Sequence, residues 1–318
     1  MMQFDRIALG RKAKDLGFVR DTFEKVCRLI DVFKFMQEDP LLSESLALKG
    51  GTAINLTVFD LPRLSVDIDL DYSKDVQRDE MMEDRVKIRD HIQKYMIASG
   101  YTLNPKSKDY HALESMVYDY MNAGGMKDNL KIEINYMLRC HVLPLSRRCV
   151  KAVWGEDSPT VLSVAPLEIF SAKAVALLNR TAPRDLYDMY NLQKYGILDE
   201  ADENVFRKCV IYYGAIASVK VPEKFEIENI ERVSAQKVKT DLTPVLHRAE
   251  HFNLNEAKGQ VKGYLEKVLA PLNEEQPFWK EFARGEYHPE VLFDDDEIIS
   301  RIRQHPMALW KCSKNKEE

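Results

Sequence analysis

The sequence predicts an α+β fold, a mixed sheet with flanking helices followed by a mostly helical C-terminal domain. Three observations predict it. Leu64 to Tyr72 and Leu130 to Met137 alternate apolar and polar residues with the two-residue period of a half-buried strand. Segments before and between them repeat apolar residues at helical spacing. From about Ser163 the alternation stops, and proline-punctuated helical patterns continue to about Leu309. The division expected is residues 1–160, a sheet domain with an N-terminal helix, and residues 161–318, a helical domain.

Each element has its own signal. From Asp15 to Met36, Phe18, Phe23, Val26, Leu29, Ile30 and Phe33 recur at helical spacing, so one helix is expected. Asp39-Pro40 breaks it, and a short helix is expected from Leu41 to Ser45. Leu46-Ala47-Leu48 reads as a short buried strand. It runs into Gly50-Gly51-Thr52, where Ala53, Ile54, Leu56 and Val58 suggest a helix starting on the turn. In the strand Leu64 to Tyr72, Leu64, Val66, Ile68 and Leu70 alternate with Ser65, Asp67, Asp69 and Asp71. A charged helix follows from Arg78 to Ser99, with Gly100 placed as its C-terminal cap.

Two more strands, His111 to Met121 and Leu130 to Met137, flank a turn at Asn122-Ala123-Gly124-Gly125. The second sets Leu130, Ile132, Ile134 and Tyr136 against Lys131, Glu133 and Asn135. Pro166 to Arg180 carries a helical pattern through Leu167, Phe170, Ala174, Leu177 and Leu178. Thr181-Ala182-Pro183 ends it, and a second helix runs from Arg184 through Tyr187, Met189, Tyr190 and Leu192. Pro222, Pro271, Pro277, Pro289 and Pro306 punctuate the remainder.

Composition bounds the function classes. A hydrophobic fraction of 45% and a charged fraction of 31% over 318 residues describe a globular chain able to bury a substantial core. Only the polar end, Ser313 to Glu318, reads as frayed. The net charge of -5 supplies no global basic field, which weakens a nucleic-acid partner without excluding one that meets a local basic surface. The five cysteines (Cys27, Cys140, Cys149, Cys209, Cys312) show no CxxC spacing, so neither a zinc site nor a disulfide framework is expected. With no secretory signal and no apolar run long enough to span a bilayer, a cytoplasmic protein without membrane partners is expected.

The chemistry concentrates on the acid strand. Side chains at alternate strand positions share a face, so Asp67, Asp69 and Asp71 stand roughly 6.5–7 Å apart in steps along one side. Three like charges repel unless a cation neutralises them. Mg²⁺ suits such oxygens, and two carboxylates at i and i+2 can serve a pair of ions about 3.5–4 Å apart, the arrangement for in-line phosphoryl chemistry. The alternative is a solvated edge strand protected by charge, although Asp is a poor strand former. The preceding turn favours chemistry: Gly50 and Gly51 let a phosphate approach the main chain, and a helix starting there points free N–H groups at an anion.

The stretches Leu48-Lys49-Gly50-Gly51-Thr52-Ala53-Ile54-Asn55-Leu56 and Leu61-Pro62-Arg63-Leu64-Ser65-Val66-Asp67-Ile68-Asp69-Leu70-Asp71-Tyr72 resemble the AbiEii/AbiGii toxin family. These are nucleotidyltransferases of the polymerase-β-like superfamily, marked by a glycine turn followed by an Asp-x-Asp strand. The similarity continues at Lys131-Ile132-Glu133-Ile134 and from Pro166 to Leu192, with Lys173, Arg180 and Arg184-Asp185-Leu186-Tyr187-Asp188 in a second block.

The resemblance implies a nucleotidyltransferase-type sheet. Asp67 and Asp69 would hold two Mg²⁺ ions, and Gly50, Gly51 and Thr52 would form the turn that contacts the triphosphate. Arg63 and Ser65 of the Arg-x-Ser stretch are nucleotide-binding candidates, with a surface role the alternative for Arg63. Glu133 would be the third metal ligand, or else an acid paired with Lys131. Lys173 would contact a phosphate, or else snorkel to the surface. Asp185, with Asp188 second, would be the base for the incoming hydroxyl, or Asp185 would favour its helix dipole.

The reaction implied moves a nucleoside monophosphate from an NTP to a hydroxyl, on RNA and especially a tRNA 3′ end. It would be the toxin of a toxin–antitoxin or abortive phage infection system, with a cognate antitoxin protein as partner. Lys131, Arg139, Arg147, Arg148, Lys151 and Arg180 are the basic candidates for the RNA. A protein or small-molecule hydroxyl as acceptor, and an inactive nucleotide-binding module, are the competing readings.

Overall fold

The computed structural model describes residues 4–155, 158–217, 224–271 and 273–316; Pro222 and the Glu317-Glu318 end of the tail lie outside these. The chain forms two compact units. The first comprises Met1–Arg139, Leu145–Val164 and Pro244–Glu250; the second comprises Cys140–Pro144, Ala165–Thr243 and His251–Glu318.

The first unit begins with two helices: the one expected from Asp15 to Met36 starts later, at Arg20, and the helix ahead of it carried no expectation. Helix α1 (Arg6–Asp15) is capped by Asp5, whose carboxylate accepts from the Ala8 N–H at 2.7 Å, and α2 (Arg20–Glu38) follows a turn at Leu16-Gly17. Helix α2 buries Phe23, Val26, Leu29, Ile30 and Phe33, as the spacing predicted. The same face buries Glu24 and Arg28, hydrogen-bonded at 2.7 and 3.0 Å. Glu24 also accepts from the Ala123 N–H at 2.8 Å, and Arg28 lies over the Tyr120 ring at 4.2 Å. Asp39 ends α2 and caps α3 (Pro40–Ser45), with Pro40 in the first turn where its missing N–H costs nothing.

The sheet has eight described strands: β1 (Leu46–Leu48), β2 (Asp67–Tyr72), β3 (Thr102–Leu103), β4 (Lys108–Asp109), β5 (Leu113–Met121), β6 (Lys127–Asn135), β7 (Ser146–Cys149) and β8 (Thr160–Ser163). Their order is β3-β5-β6-β2-β1-β8-β7, with β4 on β5. Strand β2 is central, antiparallel to β1 and parallel to β6. Its alternation buries Ile68 and Leu70 while Asp67 and Asp69 stay half-buried. Helix α4 (Gly50–Thr57) follows β1, and α5 (Arg78–Ala98) joins β2 toward β3, its chain capped by a bond from the Gly100 N–H to Ile97 O at 2.9 Å.

The acid strand is shorter than its alternation suggests. Leu64 to Val66 leave the sheet because their neighbourhood is bonded elsewhere: the Leu64 N–H donates to Val245 O at 2.8 Å, and Arg63 bridges Leu246. The returning segment is itself tied by the Arg248 N–H to Gly17 O at 2.7 Å. Strand pairing therefore starts at Asp67, and a distant stretch of chain fixes the loop that precedes it.

The second unit is helical. Helix α6 (Pro166–Arg180) ends at Thr181, whose left-handed backbone (φ 52) turns the chain into α7 (Pro183–Lys194). Helix α8 (Glu200–Ala217) and the later helices Leu254–Val268, Gln276–Ala283, Asp296–Ile302 and Pro306–Asn315 complete it. Phe170, Leu177, Leu186, Tyr187, Phe206, Phe278 and Phe282 are among its buried side chains. Glu168 is buried too, but satisfied by the Leu143 N–H at 2.9 Å, the Val142 N–H at 3.2 Å and the Tyr213 hydroxyl.

Candidate active site

The glycine turn is bonded directly to the acid strand. Lys49, extended at φ -137, precedes α4 and donates its backbone N–H to Asp69 O at 2.9 Å. Gly50 then takes φ 68, where an L side chain is strained. A Cβ on Gly50 would stand 2.7 Å from Asp69 Oδ2, so the bare backbone is what lets that carboxylate lie against the helix start. The Thr52 hydroxyl is buried and donates to Asp67 O. The first-turn N–H groups of an α-helix lack intrahelical acceptors and suit an anion.

Arg63 and Ser65 pack on the next glycine. A Cβ on Gly51 would meet Arg63 Nη2 at 2.6 Å and Ser65 Oγ at 3.1 Å. Arg63 is only 1% exposed and donates from Nη1 to Leu64 O at 2.9 Å, so the surface-arginine alternative falls. Both side chains brace the turn by contact.

The parallel register of β2 and β6 sets Asp67 beside Lys131, Asp69 beside Glu133 and Asp71 beside Asn135. In-register residues on neighbouring strands share a face, so all six belong to one patch. Alternation made the three aspartates equivalent, but their partners separate them. Asp71 is 3% exposed and ion-paired with Lys49. Asp67 and Asp69 are half-buried. Glu133, open in the sequence between metal ligand and lysine partner, pairs with Lys131 at 2.7 Å. Burial acts to lower the Lys131 pKa, yet it is raised, because the bond to Glu133 and the charges of Glu133, Asp67 and Asp69 outweigh burial.

Among the described residues, no group of three or more His, Cys, Asp or Glu side chains is arranged to hold a metal ion. Two carboxylates are nonetheless enough for magnesium, which keeps several waters and takes its other ligands from substrate phosphates. Asp67 and Asp69, hard oxygen donors on one face and open to solvent in part, fit it.

In the second unit, Lys173 on α6 is buried between two carboxylates, with Nζ 2.9 Å from Asp185 Oδ1 and 2.8 Å from Asp188 Oδ2 of α7. This is not a snorkelling lysine. Arg180 binds Asp185 at 2.7 and 3.0 Å, and Arg184 donates to Asp241 O at 2.7 Å. Burial works to raise the Asp185 pKa, but Lys173 and Arg180 overcome it and hold it at about 2.

Within the first unit the expected basic residues are spread across the sheet. Lys131 on β6 and Arg147 and Arg148 on β7 are separated by three strands in the sheet order. Lys131 pairs with Glu133, Lys151 with Asp60, and Arg180 with Asp185 in the other unit. Two features escaped the sequence reading, the Lys49–Asp71 pair and the placement of Lys131 beside Asp67. Both depend on strand pairing, for which alternation carries no signal.

No described helix is long and apolar enough to cross a membrane. No curated protein sequence matches the chain. The fold is similar to the solved structure of MenT4, a nucleotidyltransferase toxin from Mycobacterium tuberculosis H37Rv, with a TM-score of 0.59 and 17% identity over 96% of this chain and 99% of that one. The profile of the family described as nucleotidyl transferase AbiEii toxin, type IV toxin–antitoxin system, matches residues 34–260, which include the glycine turn, the acid strand and the Lys173 to Asp188 block. The chain belongs to this AbiEii family of nucleotidyltransferase toxins.

Proposed function

We propose that the chain transfers a nucleoside monophosphate from a nucleoside triphosphate to a hydroxyl of RNA, at a tRNA 3′ end, in a magnesium-dependent reaction that arrests growth until a cognate antitoxin protein counters it. The observation that carries this reading is the contact of the Gly50 turn with Asp69. It joins an anion-binding helix start to a pair of half-buried carboxylates. Magnesium held by Asp67 and Asp69 would supply neutralisation of triphosphate charge and activation of the attacking hydroxyl. The N–H groups at the start of α4 bind phosphate oxygens. Arg63, Ser65 and the Thr52 hydroxyl keep that start in place, so positioning and electrostatics do most of the catalytic work.

The ammonium of Lys173 is held in the second unit between the carboxylates of Asp185 and Asp188. Asp185, at a pKa of about 2, is a poor proton acceptor at neutral pH, so its part is to fix Lys173 together with Asp188. Labelled triphosphates incubated with separate RNA and protein pools test the acceptor. Label on tRNA that disappears with Asp67→Ala supports the proposal, and label on protein alone overturns its RNA half. Growth arrest by Asp67→Ala as strong as by the parent chain would remove the metal-dependent mechanism altogether.

A further inference from the structure

Lys49, the residue ahead of the glycine turn, is attached to β2 at two points. Its backbone N–H donates to Asp69 O at 2.9 Å, and its ammonium pairs with the carboxylate of Asp71, two residues further along the strand. A single backbone bond fixes one point and lets the start of α4 pivot about it. The second attachment, to a residue roughly 6.5–7 Å along β2, removes that freedom. Asp71 is 3% exposed, so its hold on the ammonium is screened far less than a surface ion pair is. Gly50 follows directly, close enough to Asp69 Oδ2 that an added Cβ would clash, while Arg63 and Ser65 stand against Gly51. The turn is thus braced from the preceding loop by Arg63 and Ser65, and from the strand by Lys49.

We infer that Asp71, the third acid of the strand, is a positioning residue for nucleotidyl transfer: it holds Lys49, and through Lys49 it sets the phosphate-binding start of α4 against the Asp69 carboxylate. This rests on the proposed metal-dependent reading of the site, in which Asp67 and Asp69 meet the cation and Asp71 does not. Transfer needs the triphosphate, held by main-chain N–H groups, and the cation, held by carboxylates, in one fixed relation. A displacement of about 1 Å between them costs on the order of a hundredfold in rate. The Lys49–Asp71 pair is neutral as a whole, so removing both members together loosens the turn without changing the net charge around it.

The test compares the full-length wild type with Lys49→Met combined with Asp71→Asn. Circular dichroism at the assay temperature first establishes that both are folded, and Lys49→Met with Asp71→Leu repeats the case should the buried amide prevent folding. Binding of Mn²⁺ alone, followed by electron paramagnetic resonance of the free ion, should be the same in both. Transfer of label from the triphosphate to whichever pool the wild type labels, RNA or protein, should fall in kcat by about tenfold to a hundredfold, with KM for the triphosphate unchanged. A folded variant with the wild-type kcat would overturn the inference and leave the reading of Asp67 and Asp69 standing. So would weaker Mn²⁺ binding, which makes Asp71 a ligand, or a raised KM at constant kcat, which makes Lys49 a triphosphate contact. A wild type that labels neither pool, or that binds Mn²⁺ no better than Asp67→Asn does, would overturn the site reading itself, and the inference with it.

Discussion

Replacing Gly50 by alanine adds one methyl group where α4 begins, and its cost separates into two parts. The first is backbone strain: at φ 68 an alanine costs roughly 1–2 kcal/mol relative to glycine. The second is local. The new Cβ would lie 2.7 Å from Asp69 Oδ2, whereas ordinary contact begins at 3.4 Å, so the carboxylate must retreat by the difference, about 0.7 Å. Misplacement of a reacting group by about 1 Å costs on the order of a hundredfold in rate. Gly125, in the turn between β5 and β6, provides the control: its φ is 78, and an added Cβ meets nothing within 4 Å. Gly50→Ala and Gly125→Ala should therefore melt at similar temperatures, lowered by roughly 2–4 °C per kcal/mol. Only Gly50→Ala should lose nucleotidyl transfer, by about a hundredfold, when labelled triphosphate is chased into an RNA pool. A wild-type rate for Gly50→Ala, or an equal loss for Gly125→Ala, would refute the claim that this glycine is required by the Asp69 carboxylate.

Three further outcomes follow from the charged and sulfur-bearing groups. Asp185 is held at about 2 against an ordinary 3.8, so it contributes about 2 kcal/mol of stability that is complete above pH ~4 and is lost as pH falls toward 2. Urea unfolding of wild type and Asp185→Asn across that range should converge at the acid end. Glu24→Gln leaves Arg28 buried without its carboxylate and should cost about 3–5 kcal/mol in denaturant titrations, whereas Glu24→Leu with Arg28→Met should recover much of it. Of the five thiols, only Cys149 is exposed; burial pushes Cys27 up to about 12 and Cys312 to about 11. A thiol reagent should label Cys149 quickly in the folded chain and reach the other four only on unfolding.

Local chemistry made much of the fold legible. The Asp39-Pro40 break, the glycine turn with its helix and the β5–β6 hairpin at Asn122 to Gly125 were all read from short stretches whose residues dictate their own backbone. The misses have a common cause. One helix was expected across Leu16-Gly17 because the apolar spacing of α2 extends smoothly toward Phe18, while the turn that interrupts it is bonded to Arg248, far along the chain. The strand was expected to begin at Leu64 for the same kind of reason, its alternation being sound and its hydrogen-bond partner, Val245, invisible. Lys173 was singled out through the family resemblance, and the partners that bury it, two carboxylates one turn apart on α7, lay in the packing of α6 on α7.

The acid strand shows where sequence reasoning reaches its limit. Alternation fixes which side chains of one strand share a face, and so it placed Asp67, Asp69 and Asp71 together correctly. It is silent on what stands across from them. A slip of one residue in the β2–β6 register would set Ile132 beside Asp67 and turn Lys131 and Glu133 to the apolar side, so burial of Ile132 and Ile134 enforces the observed pairing. The hydrophobic core thereby decides the charge balance of the site. It sets Lys131 beside Asp67 and Glu133 beside Asp69, with Lys131 and Glu133 paired and Asp67 and Asp69 half-buried. The same core would have to be broken before that balance could be altered by anything short of changing the charged residues themselves.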